Sequence, residues 1–361
     1  MTELPLRDEL RGATPYGAPE LPAAVRLNVN ENPYGPSAEV AGEMADVVRA
    51  LGGDLNRYPD REALALRGDL ARYLGHGLSA DRVWAGNGSN EVMSQILQAF
   101  GGPGRSVLSF VPTYSMYAEY ARTTATRWID VARREDFSVD ADEAAAVVRR
   151  KRPDVVLLAS PNNPTGTAAG LDVVEGICAA SPGVVVVDEA YAEFRRAGVP
   201  SALTLLDRFP RLVVTRTMSK AFGLAGVRLG YLAASAELVD ALRLVRLPYH
   251  LSTVTQALAR VALGHADETL ATVDLLRTER DRAVSWLRAE GFQVADSDAN
   301  FVLFGTFPDA HAVWAGLLDQ GVLVRETGPK GWLRVSVGTP DEMAAFRSAL
   351  TAVTGVRREA S

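Results

Sequence analysis

The chain has 361 residues, 47% hydrophobic and 23% charged, an ordinary globular balance that excludes a disordered tail, a collagen or a coiled-coil rod. The formal charge of −6 leaves no bulk basic field to attract nucleic acid or an anionic membrane surface. A single cysteine, Cys178, excludes an intrachain disulfide, and His76, His250, His265 and His311 show no pair at metal-ligand spacing, so no metal is expected.

In chain order, the first 36 residues are punctuated by Pro5, Pro15, Pro19, Pro22 and Pro33, which predicts an extended arm laid over another surface. This stretch carries no apolar signal segment, and no run in the chain approaches the ~18 apolar residues of a membrane span, so a cytoplasmic location is expected. Short apolar runs then predict strands at 83–85, 106–110, 126–130, 155–159, 184–188, 212–215 and 229–233. Several are continuous and valine-rich, which suits strands buried on both faces. Helical patterns at 90–100, 114–125, 141–150 and 171–180 alternate with them. That alternation predicts an α/β fold with a mostly parallel central sheet flanked by helices. From 256 to 289 the pattern is one long, charged helix. After Gly291, strand-like runs at 300–304 and 333–337 around a helix near 310–319 predict a smaller α+β unit. The expected division is a large unit over 37–261, with the arm 1–36 and residues 262–361 forming the second.

Lysine occurs only at Lys151, Lys220 and Lys330, so three candidates cover any chemistry that needs a lysine amine. Lys151 lies in a charged helix end and Lys330 in a turn. Lys220 lies in residues 215–228, Thr-Arg-Thr-Met-Ser-Lys-Ala-Phe-Gly-Leu-Ala-Gly-Val-Arg, a few residues after a buried strand. Ligands of such sheets bind outside the carboxyl ends of strands. A desolvated amine there becomes nucleophilic enough to bond a carbonyl, although taken alone a solvated loop lysine is the more ordinary reading. Four valines deliver Asp188 to another strand end, followed by Glu189 and, three residues on, Tyr191. A carboxylate so placed is costly unless paired. A pyridinium nitrogen is one natural partner, and the cap of a following turn is the plainer role.

The turn 159–166, Ala-Ser-Pro-Asn-Asn-Pro-Thr-Gly, projects Asn163 toward the same sheet mouth. Residues 85–91, Ala-Gly-Asn-Gly-Ser-Asn-Glu, close a strand and open a helix, where bare N–H groups and Ser89 suit a phosphate. The segment lacks the third glycine of a dinucleotide fingerprint and the Gly-Lys of a nucleotide phosphate loop, which argues against a nicotinamide dehydrogenase.

Falling in this order on successive strands, these segments resemble the fold-type I pyridoxal-5′-phosphate-dependent aminotransferases of the aspartate aminotransferase superfamily. Residues 26–33, 56–60, Pro112-Thr-Tyr114 and 333–338 share the likeness, which covers nearly the whole chain. The arm and the run 247–252, Leu-Pro-Tyr-His-Leu-Ser, resemble the branch that acts on histidinol phosphate.

The resemblance implies that Lys220 bonds the cofactor's aldehyde and shuttles a proton, and that Asp188 pairs with the ring nitrogen. It implies that Asn163 and Tyr191 hydrogen-bond the ring oxygen and that Tyr114 stacks on the ring. Ser89, Asn90, Thr217, Ser219 and Arg228 would surround the phosphate, and Tyr58 would reach the partner's cofactor across a homodimer with shared active sites. Arg334, assisted by Arg325, would bind the anion of the substrate, and Tyr16 and Asn30 on the arm would either close over it or simply pack. Glu189 and Glu31 match no catalytic role.

The implied reaction is transamination between L-histidinol phosphate and 2-oxoglutarate, giving imidazole-acetol phosphate and glutamate. An aromatic amino acid aminotransferase is the nearest alternative, because its cofactor residues are nearly the same. A decarboxylase of phosphorylated amino acids and a ligand-sensing domain of a transcription regulator stand further off. The regulator would need a basic DNA-binding region ahead of the fold.

Overall fold

In the computed structural model, which describes residues 4–17 and 19–355, the arm contributes β1 (Val25–Arg26) and leads to helices α1 (Ala38–Leu51) and α2 (Leu64–Leu74). Strands and helices then alternate: β2 (Val83–Asn87), α3 (Gly88–Phe100), β3 (Ser106–Val111), α4 (Met116–Thr123), β4 (Arg127–Ala132), α5 (Ala141–Lys151), β5 (Val155–Ala159), α6 (Leu171–Ala180), β6 (Val184–Asp188), β7 (Leu212–Thr217) and β8 (Leu229–Ala233). The seven strands β2 to β8 form one sheet in the order β2-β8-β7-β6-β5-β3-β4.

Strand β8 runs antiparallel to both neighbours, and the contiguous strands from β7 to β4 pair in parallel. The carboxyl ends of the parallel strands therefore open on one edge, and β8 begins there. Valine alternation supplies both faces. Val156, Leu158, Val185 and Val187 enter one core layer, while Val155, Leu157, Val184 and Val186 enter the layer on the opposite side.

Helices α7 (Ala236–Arg243), α8 (Thr253–Gly264) and α9 (Ala266–Ala289) lead to a second sheet. Its strands are β9 (Gln293–Val294), β10 (Phe301–Gly305), β12 (Arg325–Glu326) and β13 (Trp332–Ser336), antiparallel in the order β12-β13-β10-β9. Helices α10 (Ala310–Asp319) and α11 (Pro340–Thr354) cover it over a core that includes Phe304, Leu333, Val335 and Phe346. Strand β11 (Val322–Leu323) leaves this sheet and pairs in parallel with β1, so the arm is stitched to the smaller unit. Ser336 N donates to Leu27 O at 2.9 Å and continues the stitch.

Several expectations shift. The single helix of 256–289 is two helices, broken at His265 (φ −111°, ψ 28°) directly after Gly264, which weakens helix propagation. Helix α4 starts at Met116 rather than Tyr114, because β3 runs on to Val111 and the turn that follows it takes up residues 112–115. The strand expected at 126–130 spans Arg127–Ala132. Helices α1, α2, α7 and α11 were not among the expected elements. Residues 1–3, 18 and 356–361 of the expected outer unit lie outside the described residues. Among the described residues no helix is long and apolar enough to cross a membrane, and no cluster of His, Cys, Asp and Glu could hold a metal ion.

Candidate active site

At the carboxyl edge of the large sheet lies a cavity of about 270 Å³. Every sequence-derived site residue except Tyr58 lines it: Tyr16, Asn30, Ser89, Asn90, Tyr114, Asn163, Asp188, Tyr191, Thr217, Ser219, Lys220, Arg228, Arg325 and Arg334.

Asp188 ends β6 and is buried. Its Oδ2 accepts from Tyr117 Oη at 2.8 Å, and its Oδ1 accepts from Thr215 Oγ1 at 3.1 Å and Ala190 N at 3.2 Å. All three donors are neutral. Burial raises the carboxyl's pKa, and these hydrogen bonds only partly oppose it. A positive group arriving from the cavity would complete its surroundings.

Lys220 follows β7, half-buried, with Nζ donating to Val29 O at 2.9 Å. Burial, then the positive Arg334, lowers its pKa to about 8, so roughly a tenth of the amine is neutral at pH 7, far more than an ordinary lysine would supply.

Asn163 Oδ1 accepts from Arg334 Nη1 at 2.6 Å, which leaves the amide nitrogen to donate elsewhere. Tyr191 Oη accepts from Asn30 Nδ2 at 2.9 Å, and its ring meets Phe301 edge to face at 5.0 Å. Asn30 is itself buried in the left-handed region (φ 57°), with its N–H on Ser336 Oγ at 2.8 Å. It bridges the arm to Tyr191. Tyr16 is half exposed at the rim, where Ser115 Oγ donates to its hydroxyl at 3.2 Å.

The helix start on the other side of the cavity is tightly packed. A Cβ on Gly230 would come within 2.0 Å of the Ser89 amide nitrogen, and one on Gly88 (φ +78°) within 2.5 Å of Arg228 Nη2. Glycine at both positions lets β8 lie against the start of α3 and lets the Arg228 guanidinium lie beside the bare N–H groups. Because β8 is antiparallel, Arg228 at its beginning reaches the same edge as the ends of the other strands. Backbone donors, a helix start, hydroxyls and a guanidinium together fit a phosphate. With the Lys220 amine and the Asp188 carboxylate, the residues present fit a phosphorylated, cationic ring aldehyde.

Arg334 stands in β13 and is buried, its Nη2 donating to Asn28 O at 2.7 Å and its guanidinium 5.2 Å from the Phe301 ring. Burial lowers its pKa to about 10, and its Nε has no partner. Arg325 Nη2 donates to Gly17 O at 3.3 Å, and its Nη1 is buried without a partner. Two guanidiniums with unmet donors line one end of the cavity, an arrangement suited to an anion.

Tyr58 does not line this cavity. Its ring is 80% exposed and stacks on Tyr249 at 4.4 Å. Glu189, for which no catalytic role was expected, is a buried structural anion held by Arg216 Nη2 at 2.8 Å, Arg195 Nη1 at 3.2 Å and Ser201. Tyr117 and Thr215, the two side chains that hold Asp188, were missed by sequence reasoning. Tyr117 lies three residues after Tyr114, a spacing that brings side chains together once a helical turn is drawn there.

Residues 22–350 match the family described as aminotransferase class I and II. The chain is 65% identical to the histidinol-phosphate aminotransferase of Thermobifida fusca over 98% of this chain and 96% of that protein. It is 58% identical to histidinol-phosphate aminotransferase 3 of Burkholderia lata over 97% of this chain and 96% of that protein. Among solved structures it is similar to histidinol-phosphate aminotransferase of Sinorhizobium meliloti in complex with pyridoxal-5′-phosphate. The TM-score is 0.86 with 26% identity, over 99% of each chain.

Proposed function

The chain belongs to the aminotransferase class I and II family, and from that membership we propose that it transfers the amino group of L-histidinol phosphate to 2-oxoglutarate, with pyridoxal 5′-phosphate as cofactor, in histidine biosynthesis. The fold is fold-type I. The observation that carries the cofactor reading is a buried carboxylate held only by neutral donors, in one cavity with a lysine amine whose hydrogen-bond partner is a backbone carbonyl. The aromatic amino acid alternative is not favoured, because relatives at 58–65% identity carry the histidinol-phosphate name.

Bound pyridoxal phosphate supplies an aldehyde that takes up an amino group and a pyridinium ring that draws electrons from the neighbouring carbon. Asp188 would hold the proton of the ring nitrogen, with Tyr117 and Thr215 fixing the carboxylate. Lys220 Nζ would hold the aldehyde and, once released, move the substrate's Cα proton. Asn163 Nδ2 and Tyr191 Oη would donate to the ring oxygen, and Tyr114 would cover one ring face. Ser89, Asn90, Thr217, Ser219 and Arg228 would hold the phosphate. Arg334, with Arg325, would take the phosphate of histidinol phosphate in one half-reaction and a carboxylate of 2-oxoglutarate or glutamate in the other. One anion site then serves two dissimilar substrates in a ping-pong sequence.

The unit over 37–261 would hold the cofactor, and the arm with 262–361 would supply the anion site. The homodimer reading is supported by exposed apolar residues gathered around Tyr58. Exposed Leu55 and Leu64 lie near Tyr58 in the chain, exposed Leu244 and Leu247 lie near its stacking partner Tyr249, and Arg246 ties the two stretches through Glu62 at 2.5 Å. A second copy covering this patch would bring Tyr58 to the partner's phosphate. Mixing inactive Lys220→Ala chains with Tyr58→Phe chains should then restore activity through sites that carry neither defect, and no recovery under subunit exchange contradicts the shared site.

The substrate test is kcat/KM for histidinol phosphate against phenylalanine, with 2-oxoglutarate as acceptor. Preference for histidinol phosphate is expected, and preference for phenylalanine would replace this reading with the aromatic one.

A further inference from the structure

Two separate turns carry the donors assigned to the ring oxygen. Asn163 lies in a turn closed by Gly166 N donating to Asn162 O at 2.7 Å and Asn162 N donating to Thr167 O at 2.8 Å. Tyr191 precedes the short helical turn Ala192–Phe194, which runs out toward Arg196. Asp298, in the segment between β9 and β10, bonds to both. Its backbone N donates to Gly166 O at 2.8 Å, and its Oδ1 accepts from Arg196 N at 2.9 Å.

Neighbouring residues hold the same segment in place. Gly166 has φ +81°, and a Cβ there would fall 2.4 Å from Ser297 Oγ and 2.9 Å from Ser297 Cα, so the approach of this segment to the Asn163 turn requires glycine. Ser297 Oγ donates to Phe301 O at 2.6 Å and braces the segment. Asn300 Nδ2 donates to Asn30 O at 3.1 Å, and Asn30 is the residue on Tyr191 Oη. Phe301 supplies the ring against Tyr191.

We propose that Asp298 is a positioning residue for the transamination, locking the Asn163 turn to the Tyr191 loop so that both donors meet one oxygen. The proposal rests on the cofactor reading above. Hydrogen bonds weaken steeply once distance and angle slip, so two donors stabilise charge on one oxygen only while their spacing is held. If the spacing loosens, the oxygen and the nitrogen bonded beside it hold a proton more tightly. The Arg196 guanidinium also stands 3.5 Å from Asp298 Oδ1, but Arg196 is 39% exposed, and such pairs contribute little.

The test is an absorbance titration of the cofactor-loaded protein across pH, with kcat and KM measured alongside. Asp298→Ala keeps the main-chain bond to Gly166 and removes the acceptor of Arg196 N together with the exposed pairing to the Arg196 guanidinium. Asp298→Asn keeps an acceptor, and Arg196→Ala removes only the exposed guanidinium. The charged groups around the site, Asp188, Lys220, Arg228, Arg334 and Glu31, are the same in every variant.

For Asp298→Ala we expect the titration midpoint to rise by roughly 0.5 pH unit and kcat to fall about 5-fold with KM within about twofold. Asp298→Asn and Arg196→Ala should overlay the wild type. Asp298→Glu, which keeps the charge but lengthens its reach, serves if Asp298→Ala does not fold, and the same upward shift is expected of it. A wild-type midpoint in whichever of these two variants folds overturns the proposal, whatever happens to Tm, and so does an Arg196→Ala shift of equal size. A wild type with no absorbance band bleached by borohydride overturns the cofactor reading and this inference with it.

Discussion

The two walls of the cavity hold their charged groups by different means. On the sheet wall, Asp188, Lys220, Asn163 and Ser89 each follow directly from the end of a strand, so strand order alone brings them together. Asp188 is then fixed by Thr215 on the adjacent strand and by Tyr117. On the opposite wall, Arg334 stands inside β13 and is held by Asn28 and Asn163, 306 and 171 residues away. The first wall is a product of one sheet. The second exists only when the arm, the small unit and the large sheet are assembled. The difference suits a division of labour in which the sheet wall serves chemistry common to every substrate and the other wall chooses the substrate.

Asp188→Asn tests the first half of that division. It leaves the shape of the sheet wall but removes the negative charge that would keep the ring nitrogen protonated. We expect cofactor binding to persist and kcat to fall by at least ~10²-fold, about 3 kcal/mol in barrier, for every amino donor alike. A near-normal kcat, or a loss confined to one donor, breaks the comparison.

Arg334→Ala tests the second half. Followed in the amino-donor half-reaction alone, the wild type should prefer histidinol phosphate over histidinol by ~10²-fold, and the variant should lose most of that preference. Arg334→Lys keeps the charge without the planar fork and should recover little. If the preference survives in Arg334→Ala, the anion site belongs first to Arg325, whose Nη1 is also buried without a partner.

The same contrast explains what the sequence disclosed. The sheet wall was legible because its groups are announced locally, by a valine run ending in Asp188, by the Gly-Asn-Gly-Ser junction of β2 and α3, and by the Pro-flanked Asn163. The order of strands and the antiparallel β8 were not readable from those segments, and they determine that Arg228 arrives beside Gly88. The holders of Asp188 and Arg334 were illegible for a simpler reason. Tyr117, Thr215 and Asn28 resemble ordinary core or arm residues until the chain has folded. Asp298 is hidden in the same way, its role depending on two turns more than 100 residues distant. Helix α11 is a different case. Thr339 and Glu342 form a capping box around Pro340, a local signal that was present and not used. Helix α2 follows Ala63 in the left-handed region, and its first N–H, that of Leu64, is met by Asp60 Oδ2 at 2.9 Å, a cap four residues back rather than at the usual position.

A smaller effect concerns the cofactor-stripped protein. Lys220 has its pKa lowered from 10.5 to about 8, so between those values the folded chain binds fewer protons than the unfolded chain, and stability rises with pH through that window. Below about pH 8 the full cost of burying the charge is present. Lys220→Met removes it, and we expect a gain on the order of 1–2 kcal/mol at pH 7 that shrinks as pH approaches 10.5. Urea unfolding at both ends of the window measures it, and a gain independent of pH would place the Lys220 amine in solvent rather than in the cavity.

The central claim is that Lys220 is the amine that holds the cofactor, and the scarcity of lysine makes it directly testable. Borohydride reduction of the yellow, cofactor-loaded protein followed by peptide mapping can label only Lys151, Lys220 or Lys330. The account predicts the label on Lys220 alone, and a label on Lys151 or Lys330 with Lys220 unmodified contradicts it.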